Sequence, residues 1–135
     1  LGDVYKRQAQ TQAKLQIMMQ YIHDNYSGQI TLDDIAETVL ISKSSVLNIF
    51  RTYLHTSPIN YVVEYRLKRA SKLLVDTENS VCTIAQETGF ENIGYFCRRF
   101  KKLYGVTPAN YRKYYRSAEC NSMRNIHSDT NVLSD

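Results

Sequence analysis

The chain has no tryptophan, only three cysteines among 135 residues, and no long apolar run. Eleven tyrosines without a tryptophan point to half-buried aromatic contacts rather than a large closed pocket. Cys82, Cys97 and Cys120 are odd in number and widely spaced. They form no C-x-x-C pair and have no histidine at metal-ligand spacing, so neither a disulfide framework nor a zinc site is expected. No stretch approaches the roughly 20 apolar residues that span a bilayer, and residues 1–25 lack the layout of a secretory signal. The expectation is a cytoplasmic, nucleoid-associated protein without membrane contact. Catalysis is poorly supported as well. His23, His55 and His127 lack a Ser, Cys or Asp partner at a recognised motif spacing, and there is no Gly-rich phosphate loop. No catalytic residue, metal or cofactor is expected.

What is present is a core and a positive charge. Hydrophobic residues make up 43% of the chain. That length and composition favour one domain, or two small lobes sharing a helix. The net charge is +4. Residues 9–116 hold 14 Lys/Arg against 9 Asp/Glu, a balance of +5, whereas residues 117–135 hold one Arg against three acids, a balance of −2. The basic excess thus lies in the part that can fold, as in proteins that bind polyanions.

Hydrophobic spacing predicts about seven helices and no strand. Residues 1–8, LGDVYKRQ, stand apart and read as a sequence artefact or a disordered start, with the true upstream segment missing. The first helix is expected over Gln12 to Asn25, with Leu15, Met18/Met19 and Ile22 inward. Thr31 with Asp34 reads as a capping box for a short helix, inward at Ile35, Ala36 and Val39. Ser42 caps the next, to about Leu54, inward at Val46, Ile49/Phe50 and Tyr53. Ser57-Pro58 opens the longest helix, to about Val75, with Val63, Leu67, Ala70 and Leu74 on one side. Ser80 caps a short helix to Gly89, where Cys82 is expected to pack. Asn92 begins one through Leu103, with Phe96, Phe100 and Leu103 inward, and Gly105 stops it. Thr107-Pro108 opens the last, to about Arg116, and residues 117–135 read as a disordered tail.

A duplication is the most specific feature. Thr31, Ile35, Ala36 and Ile41 match Ser80, Ile84, Ala85 and Phe90 at an offset of 49. Phe50, Pro58 and Tyr61 match Phe100, Pro108 and Tyr111 at an offset of 50, the extra residue lying near Asn92. Each copy reads as cap, short helix, tight turn, longer helix, turn, Ser/Thr-Pro, helix. A helix-turn-helix needs this layout. The short helix braces the longer one across a tight turn, and a small residue at the crossing, Ala36 or Ala85, permits close approach. The longer helix can then enter a major groove about 12 Å wide. The intervening Pro58–Val75 helix, at ~1.5 Å per residue, is about 27 Å long, which suits two reading helices about one DNA turn, ~34 Å, apart.

At this level of detail the chain resembles the AraC/XylS family of bacterial transcription regulators. Ile84 to Arg112, IAQETGFENIGYFCRRFKKLYGVTPANYR, looks like the signature of that family's second helix-turn-helix: I-A, then G-F, then Y-F-x-R-x-F-K, then G-x-T-P-x-x-Y-R. TLDDIAETVLISKSSVLNIFRTYLHTSPINYV resembles the first unit, and Tyr65 to Leu74 the linker helix. The resemblance covers about residues 15–116. It implies an all-α, homeodomain-like fold of AraC type, with the first unit about 9–57, the linker helix about 58–76 and the second unit about 80–116. It further implies a transcription activator that binds double-stranded promoter DNA and recruits RNA polymerase, either with an effector-binding or dimerisation domain missing upstream or as a small stand-alone regulator. Two positions depart from the family pattern. Leu40 and His55 stand where it has glycine, whereas Gly89 and Gly105 keep that residue in the second copy. A side chain at positive φ costs ~1–2 kcal/mol, so the first unit is expected to have a different turn or lower stability.

Elimination of the inward faces, together with family position, leaves the residues expected at DNA. In the first long helix these are Ser44, Ser45, Leu47 and Asn48. Asn can pair with adenine, and Leu47 could contact a thymine methyl or a protein. In the second they are Asn92, Ile93, Gly94, Cys97 and Arg98, with Arg98 the strongest, since Arg on guanine O6/N7 is the commonest specific contact. Cys97 also reads as an incidental surface thiol. Lys43, Arg51, Arg99, Lys101, Lys102 and Arg112 are the phosphate candidates, while Arg66 and Arg69 are expected to pair with acids such as Glu64. Two alternatives stand beside this reading. An alkylation-repair regulator would need a zinc-clustered thiolate that these cysteines do not offer. A helical protein–protein adaptor would show no salt-dependent binding to duplex DNA.

Overall fold

A computed structural model of the protein describes residues 2–118. They form α1 (Gly2–Asn25), α2 (Leu32–Glu37), α3 (Lys43–Leu54), α4 (Pro58–Asp76), α5 (Val81–Glu87), α6 (Ile93–Tyr104) and α7 (108–118), with no strand among the described residues. The chain divides into two compact units between Arg66 and Leu67, inside α4. One helix therefore closes the first unit and opens the second.

In the first unit α1, α2, α3 and the start of α4 enclose Leu15, Met18, Ile22, Ile35, Ala36, Val46, Phe50 and Val62. Full burial of an Ile, Leu or Phe stabilises by about 1.5–3 kcal/mol, so this cluster outweighs any surface contact of the unit. The local signals place the helices. The Thr31 hydroxyl accepts from the Asp34 amide and the Asp34 carboxylate from the Thr31 amide, closing the capping box at the start of α2. Ser42 caps α3 by accepting from the Ser45 amide. Tyr61 meets Phe50 edge-on at 5.7 Å, and its hydroxyl lies 2.8 Å from His23 Nε2. The His23 ring stacks on Tyr65 at 4.2 Å.

The second unit repeats this plan with the last part of α4 in the place of α1. Leu67, Ala70 and Leu74 are buried with the same three-then-four spacing as Leu15, Met18 and Ile22. Phe90, Phe96, Phe100 and Tyr111 continue the core as a chain of rings with centroids 4.9, 5.8 and 5.3 Å apart. Tyr111 stands edge-on to Phe100 as Tyr61 does to Phe50. Burial pushes the phenols of both Tyr61 and Tyr111 above their usual range.

Equivalent turns keep equivalent bonds. The Ile41 amide donates to the Ala36 carbonyl at 3.2 Å, and the Phe90 amide to Ala85 at 2.9 Å. Leu40 and His55 adopt φ of 54° and 55°, in the left-handed region that Gly89 (97°) and Gly105 (81°) occupy in the second unit. The first unit thus keeps the turns of the second instead of remodelling them, and two side chains are held where glycine is at ease.

Several expectations change. The first helix begins at Gly2 rather than Gln12, so residues 2–8 are helical, not disordered, and are exposed. Nothing in residues 2–11 breaks a helix, whereas the apolar spacing used to place its start begins only at Leu15. Residues 117–118 prolong α7, and the remaining part of the expected tail, with Cys120, lies outside the described residues. Leu103 is 44% exposed: three residues beyond Phe100, it sits about 60° around the helix, at the rim of the buried arc. Cys82 is exposed, not packed. Arg66 donates to the carbonyls of Tyr26 and Gly28, contacts that sequence spacing did not suggest. Among the described residues no helix is long and apolar enough to cross a membrane.

Candidate nucleic-acid interface

Each unit presents one long helix held by a short one. Ala36 and Ala85 are buried on α2 and α5, where a larger side chain would push the pair apart. With Val46 and Phe50 inward, α3 leaves Ser44, Ser45, Leu47, Asn48 and Arg51 exposed along one side. With Phe96 and Phe100 inward, α6 leaves Ile93, Arg98, Lys101 and Lys102 exposed, while Gly94 and Cys97 are half-buried.

The start of α6 is a small constellation. Asn92 Oδ1 accepts from the Tyr95 amide at 2.9 Å, so this oxygen caps the helix and the amide NH2 is the group left to reach outward. A Cβ on Gly94 would lie 3.2 Å from that oxygen and 3.5 Å from Arg98 Nη1. The Arg98 side chain therefore folds back along the helix over Gly94. The tight approach is to the capping oxygen, so glycine here leaves room for the Asn92 cap, whereas a Cβ would meet the guanidinium in ordinary contact. Asn92, Gly94 and Arg98, inferred one by one from the sequence, are brought together.

The phosphate candidates separate into groups. Arg51, Lys101 and Lys102 are exposed. Lys43 forms a surface ion pair with Asp33 at 3.1 Å, a contact worth at most about 1 kcal/mol and readily exchanged. Arg99 lies along Tyr95, with Nη1 3.1 Å from the phenol oxygen and its guanidinium carbon 5.9 Å from the ring centre. Arg112 is corrected. Its guanidinium donates to the carbonyls of Leu74, Thr77 and Asn79, closing the α4–α5 connection, so it is a structural residue rather than a phosphate contact. Arg116 joins it on Thr77. Arg66 and Arg116 are separated by the same 50 residues as Tyr61 and Tyr111, and each secures the carbonyl of an equivalent residue, Gly28 or Thr77. That offset was legible in the sequence and could have identified both. Among the described residues no group of His, Cys, Asp and Glu could hold a metal ion.

A family described as a helix-turn-helix domain matches residues 35–114. The AraC-type transcriptional regulator structure from Chromobacterium violaceum superposes with a TM-score of 0.73 at 31% identity, covering 78% of this chain and 94% of that one. The chain belongs to the AraC/XylS family. The relatives of this AraC/XylS chain include the HTH-type transcriptional regulator YdeC of Bacillus subtilis, 32% identical over 100 residues, which are 74% of this chain and 34% of that protein. The lactose operon transcription activator of Staphylococcus xylosus is 29% identical over 101 residues, 75% of this chain and 36% of that protein. The chain thus spans about a third of the length of these curated relatives. AraC/XylS domains are a fold of DNA-binding transcription regulators, not an enzyme family.

Proposed function

We propose that this chain is the DNA-binding part of a transcription activator, and that α3 and α6 enter successive major grooves of promoter DNA. The observation that carries this is the repeated presentation of a capped helix with an outward polar face, fixed by an alanine crossing and a tight turn in both units. Base edges fall to Ser44, Ser45, Leu47 and Asn48 on α3, and to Asn92, Ile93, Gly94, Cys97 and Arg98 on α6. Arg51, Lys101 and Lys102 neutralise phosphates, joined by Lys43 and Arg99 once they exchange their surface partners. Of the two helices α6 is the stronger reader. Its Arg98 can make a bidentate pair with guanine, and its last turn carries Lys101 and Lys102. The activator relative supports activation, and the greater length of the relatives leaves room for a further domain; contact with RNA polymerase and an upstream effector-binding or dimerisation domain complete the proposal.

Selection of bound sites from a random duplex pool tests this reading. It should return two elements about one helical turn, ~10.5 base pairs, apart. Arg98→Ala should weaken binding to the selected site by ~1–3 kcal/mol and relax preference at a single base pair. An unstructured pool, with affinity indifferent to sequence and to salt, would overturn it.

A further inference from the structure

The exposed side of α3 is bordered by two clefts in the first unit. One, of about 230 Å³, is lined by Leu47, Arg51, His55, Thr56 and Ser57. The other, of about 380 Å³, lies between α3 and α1. Ser45, Asn48 and Thr52 form its α3 wall at a spacing of three and then four residues, and Thr11 and Lys14 form its α1 wall. Nothing in the sequence connected α1 with the reading face, because Lys14 and Asn48 are 34 residues apart.

The lining chemistry of this second cleft is one-sided. It holds a single charged group, the Lys14 ammonium, and no carboxylate. Around it are the hydroxyls and amide of Ser45, Asn48 and Thr52, each on an exposed residue, and half-buried Ile41, Ile49 and Tyr53 complete the lining. The Thr11 hydroxyl donates to the Arg7 carbonyl at 2.9 Å and the Ser45 hydroxyl is paired with that of Ser42 at 2.9 Å, so Lys14, Asn48 and Thr52 are the donors facing the opening. One cation with several neutral donors and no acid, beside Ile41, Ile49 and Tyr53, suits a sugar–phosphate strand with its single charge per unit better than a peptide carboxylate cluster. Position agrees with chemistry. A helix lying in a major groove about 12 Å wide has a sugar–phosphate strand along each side, and the α1–α3 cleft follows one side of α3.

We propose that the α1–α3 cleft seats one strand of the DNA backbone, with the Lys14 ammonium on a phosphate oxygen and Thr52 along the strand, while Asn48 at the same wall turns to the bases. This makes α1 a helix that sets the position of α3 in the groove, in addition to covering the core with the adjoining face that carries Leu15, Met18 and Ile22. The inference rests on the DNA-binding reading above.

The test is fluorescence anisotropy of the full chain on its selected duplex across a salt series. Lys14→Ala should weaken binding about three- to fivefold near 0.1 M salt, equally on all single-base variants of the site, and should flatten the slope of log affinity against log salt by about 0.9. Lys14→Arg should restore both affinity and slope. Thermal denaturation should be unchanged in both variants, because Lys14 is exposed. Unchanged affinity and slope in Lys14→Ala, with the wild-type chain binding normally, would overturn the cleft assignment while leaving the DNA-binding reading intact. A loss confined to one base variant would overturn the phosphate role. Failure of the wild-type chain to bind any duplex would overturn the functional reading itself, and the cleft assignment with it.

Discussion

Leu40→Gly should make the protein more stable, although glycine ordinarily weakens folded structure. Leu40 is held at φ 54° and is 91% exposed. Its side chain therefore opposes the turn and buries nothing in return. Relief of the left-handed conformation is worth ~1–2 kcal/mol. The greater freedom of glycine in the unfolded chain costs about 0.4–1 kcal/mol. The balance is a gain of roughly 0.5–1 kcal/mol. At ~4–8 °C per kcal/mol for a unit of this size, the melting temperature of the first unit should rise by roughly 2–8 °C. In urea the midpoint should increase with an unchanged m-value, since the surface exposed on unfolding stays the same. Far-UV circular dichroism reads both transitions. The converse change, Gly89→Ala, places a Cβ at φ 97° in the equivalent turn and should destabilise the second unit by about the same amount. A Leu40→Gly variant that melts at or below the wild-type temperature would refute the reasoning, because it would mean that the leucine at this turn is not strained.

Two further outcomes follow from the cores. Arg112→Met should lower stability by about 2–4 kcal/mol, as a charged donor to three carbonyls is lost, yet leave the salt dependence of DNA binding unaltered; a flatter salt slope would return Arg112 to the phosphates. The raised phenol pKa values of Tyr61 and Tyr111 mean that the folded state retains protons which the unfolded chain releases. This stability is fully present below the ordinary tyrosine value of 10.0 and is lost as pH rises above it through the folded values. Urea midpoints should therefore fall above about pH 10, and fall less in a Tyr61→Phe, Tyr111→Phe variant; parallel pH profiles would show that other groups control alkaline unfolding.

The sequence by itself determined most of the helices and much of the core. Thr31 with Asp34, Ser42, Ser80 and Asn92 mark helix starts because a cap acts within three residues of itself. Phe50, Phe96 and Phe100 announce their burial through periodicity, another local property. The duplication added a reading at longer range. It made Leu40 and His55 conspicuous as side chains at glycine positions, and the positive φ of both is the structural counterpart of that departure. Tertiary structure alone decided what the long basic side chains do. To the sequence, Arg112 on α7 and Arg51 on α3 are the same cation on a helix surface. Only the folded chain brings the carbonyls of Leu74, Thr77 and Asn79, 33 to 38 residues away, around one of them. The cleft beside α3 is of the same kind, for Lys14 becomes its neighbour through the packing of α1 and not through any local pattern. Caps, turns and apolar faces are legible because their energies depend on residues a turn or two away. A guanidinium or ammonium reaches about 6 Å from its backbone, and its partner is set by whichever distant segment the core brings within that distance.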